Sequence, residues 1–204
     1  MAVIVVGGHS RNVGKSSVAA GLIAAFRELR WTAVKITQFG HGICSADGEP
    51  CDCATDDHSW AITEERDPAG RADTCRFLAA GARRSLWVRT RQGMLAEAMP
   101  ALRDRLQSSA NVIIESNSVL QFLRPDLYLT VLDYSTQDFK PSALHFLDRA
   151  DAIILQSPDA PLAWNGVSLK LLAGKPQFFV RPPQYITPEL VEFVLVRIRA
   201  LGGK

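Results

Sequence analysis

The sequence predicts a three-layer α/β fold, in which a mainly parallel sheet is covered by helices on both faces. Short apolar runs alternate with segments of helical period from one end of the chain to the other, the pattern of strand–helix–strand units. No internal repeat and no linker divides the chain, and 204 residues suit one domain of this kind.

The elements follow in order. Val3–Val6 is an apolar run ahead of Gly7-Gly8, as expected of a buried strand feeding a turn. Ser16–Leu29 carries Val18, Leu22, Ile23, Phe26 and Leu29 at helical spacing, and Thr32–Ile36 reads as the second strand, closed by Lys35. From about residue 41 to 69 there is no clear period, and three of the four cysteines fall there, so an insert is expected. Asp73–Ala80 is predicted as a helix stopped by Gly81, Ser85–Val88 as a strand and Gly93–Leu106 as a helix. Asn111–Glu115 is a strand ending in a carboxylate, and Leu127–Leu132 is a further strand rich in β-formers. Pro141 suits the first turn of a helix running to about Arg149. Ala152–Leu155 and Gln177–Val180 complete the strands, and Thr187-Pro188 opens the last helix with a capping Thr and Pro at its first position.

Composition narrows the function. Apolar residues make up 47% and charged residues 22%, enough to fill a core. A net charge of +2 argues against a dedicated nucleic-acid surface. No apolar run reaches the roughly 18 residues of a membrane span, and the opening residues lack a basic region, so a cytoplasmic protein is expected. In that compartment cysteines are reduced, metal-bound or catalytic rather than paired in disulfides.

The segment Gly7-Gly-His-Ser-Arg-Asn-Val-Gly-Lys-Ser-Ser17 lies between a predicted strand and a predicted helix, the setting of a phosphate-binding P-loop. Glycines let backbone N–H groups approach phosphate oxygens, and the helix N-terminus adds unpaired donors and partial positive charge. Lys15 supplies a point charge for the β- and γ-phosphates, and Ser16 is placed to offer its hydroxyl to Mg²⁺. Gly8, Arg11, Asn12, Val13, Gly14, Lys15, Ser16 and Ser17 are the expected nucleotide contacts. The standard pattern has glycine six residues before the lysine; this chain has His9 there, and Gly8 stands seven before Lys15, a loop longer by one residue.

The stretch Gly8-His-Ser-Arg-Asn-Val-Gly-Lys-Ser16 resembles the loop of dethiobiotin synthetase and the cobyrinic-acid amidating enzymes. Val34-Lys-Ile-Thr-Gln-Phe-Gly-His41 and Gly70-Arg-Ala-Asp-Thr-Cys-Arg-Phe-Leu-Ala-Ala-Gly-Ala82 are similar to segments of the molybdopterin-guanine dinucleotide biosynthesis protein B (MobB) family. Val112-Ile-Ile-Glu115 resembles a strand found in both, although Ser-Asn-Ser follows it here in place of a Gly-rich turn. The resemblance covers roughly residues 1–155 and implies the signal-recognition/MinD-like class of P-loop proteins. It implies Mg-dependent binding of ATP or GTP, hydrolysis or phosphoryl transfer, and a homodimer. A MobB-like member would assist a partner enzyme in cofactor or metal-centre assembly. A dethiobiotin-synthetase-like member would act on a small carboxylic acid.

Outside the loop, Glu115 is expected at the carboxyl end of a central strand, where it could hold Mg²⁺ with Ser16 or simply face solvent. Lys35 either faces the γ-phosphate or an acidic substrate, or is a solvated strand-end lysine. Asp73, carried over from the MobB-like helix, is a site candidate or a carboxylate favoured by the helix dipole. Asn165, in the 156–166 loop where relatives read the base, is either a base contact or a turn residue before Gly166, with the turn preferred. Cys44, Cys51 and Cys53 cluster with His41 and His58, and with Cys75 further on. Cys44, Cys51, Cys53 and His58 could hold Zn²⁺ or an iron–sulfur cluster, with Cys75 as a substitute for His58, or the thiols are ordinary reduced cysteines. Arg83, Arg84, Arg89 and Arg91 form a basic group that either pairs locally or meets an acidic ligand.

Overall fold

The computed structural model describes residues 1–39 and 59–202. The candidate metal ligands Cys44, Cys51, Cys53 and His58, with His41, lie outside those residues.

In chain order the elements are β1 (Val3–Gly8), α1 (Lys15–Ala25), β2 (Trp31–Phe39), β3 (Trp60–Glu64), α2 (Asp73–Ala79), β4 (Arg84–Arg91), α3 (Leu95–Leu106), β5 (Asn111–Glu115), β6 (Leu127–Asp133), α4 (Pro141–Phe146), β7 (Ala152–Gln156), β8 (Gln177–Val180) and α5 (Pro188–Gly202). The strands form one sheet in the order β3-β4-β2-β5-β1-β6-β7-β8. Every pairing is parallel except that of β3 with β4. This is the three-layer α/β fold that the alternating pattern predicts.

Alternation along the strands builds the layers, because successive strand side chains point to opposite faces. Ile4 and Val6, with Ile113, Leu129 and Val131, pack against Val18, Leu22 and Ile23 of α1 and Leu190 and Val194 of α5. Val5, Val112, Ile114, Tyr128 and Leu132 face the other way, against Leu95, Ala98, Met99 and Leu102 of α3 and Phe146 of α4. A strand covered on both faces has no polar side, which is why β1, β5 and β7 read as unbroken apolar runs.

Three expectations need correction. The first helix ends at Ala25, not Leu29: Phe26 leaves helical geometry at φ −130°, and a 3₁₀ turn over Arg27–Leu29 follows. Phe26 buries its ring in the core beneath the helix, and Arg30, at φ 53°, turns the chain into β2. The second strand continues past Ile36 to Phe39, because β4 pairs with it from Thr32↔Arg84 to Phe39↔Arg91. Lys35 therefore sits in mid-strand. Finally, β3 lies within the segment read as having no period; it is an antiparallel edge strand whose residues are only partly buried, so its hydrophobic signal is weak.

Leu22, fully buried between α1 and the sheet, anchors the helix that begins at the phosphate loop. Leu22→Ala is expected to destabilise the protein by about 2–5 kcal/mol, through lost transfer energy and the cavity left behind. Urea unfolding checks this, with a lowered midpoint at an unchanged slope.

Candidate functional site

Six residues, from His9 to Gly14, join the end of β1 to the start of α1. Asn12 (φ 57°) and Gly14 (φ 81°) lie in the left-handed region, so the main chain curls and its N–H groups turn toward one point. A side chain on Gly14 would collide with the ring of Tyr185, so strain and close approach both demand glycine there. α1 has no side-chain N-cap and no acidic residue in its first turn. Its first N–H groups are thus left for an outside acceptor, and the helix dipole favours a negative one.

The two departures from the expected motifs prove to hold the loop. His9 is completely buried. Its Nδ1–H donates to the Asp138 carbonyl at 2.8 Å, and its Nε2 accepts the Asp133 N–H at 3.0 Å. A carbonyl only accepts and an N–H only donates, so the ring is the neutral tautomer carrying its proton on Nδ1. Burial pushes its pKa below the ordinary value, against the opposing pull of the Asp138 carbonyl. Asn117, in the Ser-Asn-Ser turn after Glu115, grips the loop from the other side. Its Oδ1 accepts the Gly8 N–H and its Nδ2 donates to the Gly8 carbonyl, each at 2.9 Å. The Gly8 amide is therefore spent on Asn117, and Gly8 serves by close packing, where a Cβ would meet the Lys15 stem and the Val131 carbonyl. Val13 is buried, and its carbonyl accepts the Gln156 side-chain amide.

The charged groups converge above this loop. Lys15 Nζ donates to the Ser10 carbonyl at 2.6 Å. The residue as a whole is only half-buried, but its amino group lies deep, and desolvation pushes its pKa down to about 8. Ser16 Oγ donates to Glu115 Oε2 at 2.7 Å. Lys35 and Glu115 are register partners on β2 and β5, so their side chains rise from the same face of the sheet. Lys35 Nζ is 3.4 Å from both Glu115 oxygens and from Ser16 Oγ, and it also donates to Asp73 Oδ2. Burial alone would raise the Asp73 pKa, but the Lys35 ammonium outweighs it and holds the carboxyl below its usual range. Burial likewise works against the Lys35 ammonium, and Glu115 and Asp73 overcome it, raising its pKa. Arg76 bonds Asp73 Oδ1 at 3.0 Å and Ser17 Oγ at 2.9 Å, which closes the cluster.

A cavity of about 990 Å³ opens over these groups, lined by Arg11, Asn12 and Gly14 through Ser17, by Lys35, Asp73 and Glu115, and also by Gln92, Gln121, Lys140 and His145. The expected nucleotide and Mg²⁺ residues thus come together in this lining except Gly8 and Val13, which are buried and not part of it; the candidate cysteine and histidine ligands lie outside the described residues. Sequence reasoning missed Asn117, Gln156, Tyr185, Arg76 and the part played by His9. Only the broken motifs at His9 and Ser116-Asn-Ser118 carried any signal of them. Asn165 is exposed beside Gly166, whose φ of 72° marks a turn. Of the basic group, Arg84 pairs with Glu64 at 2.9 Å and Arg89 stacks over Trp87. Cys75 is buried, and burial and the Glu65 carboxylate raise its pKa. Among the described residues no three His, Cys, Asp or Glu gather as metal ligands, and no helix is long and apolar enough to cross a membrane.

No known family profile matches the chain, and no curated protein matches it in sequence. Among solved structures it is similar to HypB from Helicobacter pylori in complex with nickel, at 17% identity and a TM-score of 0.49, over 97% of this chain and 87% of that one. It is also similar to the "apo" form of LpxK from Aquifex aeolicus in complex with ATP, at 18% identity and a TM-score of 0.48. That match covers 88% of this chain and 53% of the other, so the chain spans about half the length of LpxK.

The buried Lys15 amine makes stability depend on pH. Its pKa is about 8 in the folded protein, against 10.5 for the ordinary side chain. Between those values the unfolded chain holds the proton and the folded one has released it, so stability rises with pH through that window. Below pH 8 both states are protonated and the contribution is flat. The unfolding free energy of the unliganded protein minus that of Lys15→Met is expected to climb from about pH 8 to about pH 10.5. A pH series of urea unfolding curves measures it.

Proposed function

We propose that the protein binds a nucleoside triphosphate with Mg²⁺ at the loop between β1 and α1, hydrolyses it, and works as an accessory factor in cofactor or metal-centre assembly. The observation that carries the nucleotide reading is Lys15. A deeply placed amine, bonded among the described residues only to a main-chain carbonyl of its own loop, stands beside an uncapped helix N-terminus. Removing an ammonium group from water is costly unless an anion offsets the loss. A polyphosphate lying along the loop would take the free N–H groups and this charge together.

The oxygen atoms fit a hard divalent cation. Ser16 Oγ, both Glu115 oxygens and Asp73 Oδ2 surround the Lys35 ammonium, which stands in for a cation among them. Ser16 and Glu115, with Asp73 close by, are the residues that would hold Mg²⁺. When bound, that ion would neutralise charge on the β- and γ-phosphoryl oxygens. Lys15 and the loop amides would hold the transferring group in place, so catalysis would be positional and electrostatic. The accessory role rests on the resemblance to the MobB family. A second reading, an ATP-dependent enzyme acting on a small carboxylic acid, is favoured by the size of the cavity. Its 990 Å³ lies at the upper end of the ~300–1,000 Å³ that holds whole small-molecule ligands.

Lys15→Ala is expected to abolish binding of Mg–ATP and Mg–GTP in calorimetry while the far-UV circular dichroism spectrum stays that of the wild type. Unchanged affinity would overturn the assignment. Phosphate release by the wild type is expected to be slow and insensitive to added carboxylic acids. Rapid, acid-dependent release would favour the synthetase reading instead. Ser16→Ala and Glu115→Gln are expected to lower Mg-dependent turnover on the order of 10²-fold.

A further inference from the structure

The cations lining the cavity are not equally employed. Lys35 is held by Asp73 and Glu115, Arg76 by Asp73 and Ser17, and Lys15 by the Ser10 carbonyl. Lys140 also lines the cavity, half-buried, yet its ammonium forms no hydrogen bond and no ion pair with a described residue. Burial and the charge of Arg11 depress its pKa, and the carboxylates of Asp138 and Glu115 oppose them without overcoming them. Lys15 in turn feels the charge of Lys140. A cation partly withdrawn from water, with no carboxylate bonded to it among the described residues, is favourably met by a visiting anion.

The backbone beneath Lys140 is tied to the phosphate loop. The Lys140 N–H donates to the His9 carbonyl at 2.8 Å. The His9 ring bonds the Asp138 carbonyl and the Asp133 N–H, and Ser10 Oγ donates to Asp138 Oδ2 at 2.6 Å. Phe139 and Trp164 pack on the His9 ring, with centroids 5.0 and 5.3 Å away. Four hydrogen bonds and a ring stack therefore carry the 133–140 segment as one piece with residues 9 and 10. The residue that lengthens the loop, His9, is the one that makes this tie. The Lys140 backbone thus keeps a set place relative to the phosphate loop, in the lining of the same cavity as Lys15, Ser16 and Glu115.

We propose that Lys140 is a second phosphate-reading cation, set against the terminal phosphoryl group of a bound nucleoside triphosphate, so that the protein distinguishes triphosphate from diphosphate. The proposal rests on the nucleotide reading of the same loop. The loop amides and Lys15 would grip the phosphates that both nucleotides share, with Lys15 reaching the terminal one as well, whereas Lys140 would meet only the group the triphosphate adds. A charge supplied from the same chain in this way offsets the charge of that group, and needs no residue from a partner.

Calorimetry tests this with a Mg–nucleoside diphosphate and a non-hydrolysable Mg–triphosphate analogue, each titrated into the wild type, Lys140→Gln and Lys140→Arg. The wild type is expected to prefer the triphosphate. Lys140→Gln is expected to lose about tenfold to a hundredfold in triphosphate affinity while its diphosphate affinity stays within about twofold, as for loss of one hydrogen bond to a charged group. Lys140→Arg, which keeps the charge, is expected to recover most of the preference. Equal losses for both ligands, or no change for either, would overturn the proposal. Binding of neither nucleotide by the wild type would overturn the reading beneath it, an outcome readily told apart. Lys140→Met serves as a second neutral variant should Lys140→Gln show an altered circular dichroism spectrum.

Discussion

Pairing of β1 on both of its edges, with β5 and with β6, is the constraint from which the rest of the site follows. A strand so placed ends in the middle of the sheet's carboxyl edge, and the turn that leaves it is met from both sides. From the β5 side comes Asn117, whose amide takes both main-chain groups of Gly8. From the β6 side come Asp133 and Asp138, which take both nitrogens of His9. The polar groups of a buried turn are thus satisfied by partners more than a hundred residues away, as buried polar groups must be. Gly8 is then not available to a ligand through its own amide, and the burden of contact falls on the part of the loop from Arg11 onward.

The charges above the loop are arranged by the same sheet. Parallel pairing of β2 with β5 brings Lys35 opposite Glu115, and the helix that starts at Asp73 adds a second carboxylate. Burial works against the charged forms of Lys35 and Asp73, and their opposite charges overcome it. Lys15 forms no ion pair among the described residues, and burial outweighs the pull of Glu115 and depresses its pKa. A site with two carboxylates already engaged by Lys35 and Arg76, an amine bonded only to a carbonyl and a helix N-terminus without a cap is short of negative charge. A polyphosphate with its cation has the charge, the length and the acceptor geometry to supply it.

Far-off segments complete the enclosure. The Gln156 amide at the end of β7 holds the Val13 carbonyl, and Tyr185, in the stretch between β8 and α5, covers Gly14. Ile186 packs so closely on Gly21 that a side chain there would collide with it, which seats the end of that stretch on α1. The loop and its helix are thus fastened to the last third of the chain.

The amino-acid sequence by itself determined the alternation of strands and helices, and so the layered fold, because burial on two faces leaves an unbroken apolar run that can be read locally. It also determined the turn from Gly8 to Ser17, since Gly14, Lys15 and Ser16 stand in their required order between a strand and a helix. Lys35, Asp73 and Glu115 could be named as candidates, but not joined, because nothing local encodes the register of β2 on β5 or the approach of α2. The same limit hid Asn117, Gln156, Tyr185 and the employment of His9: each acts on a backbone group brought near only when the sheet closes around β1. β3 escaped notice for the opposite reason, since an edge strand half open to water leaves too faint an alternation to stand out. What the tertiary structure alone decided is which polar atoms meet, because hydrogen bonds between distant segments depend on strand order and register, and those are set by the packing of the whole core.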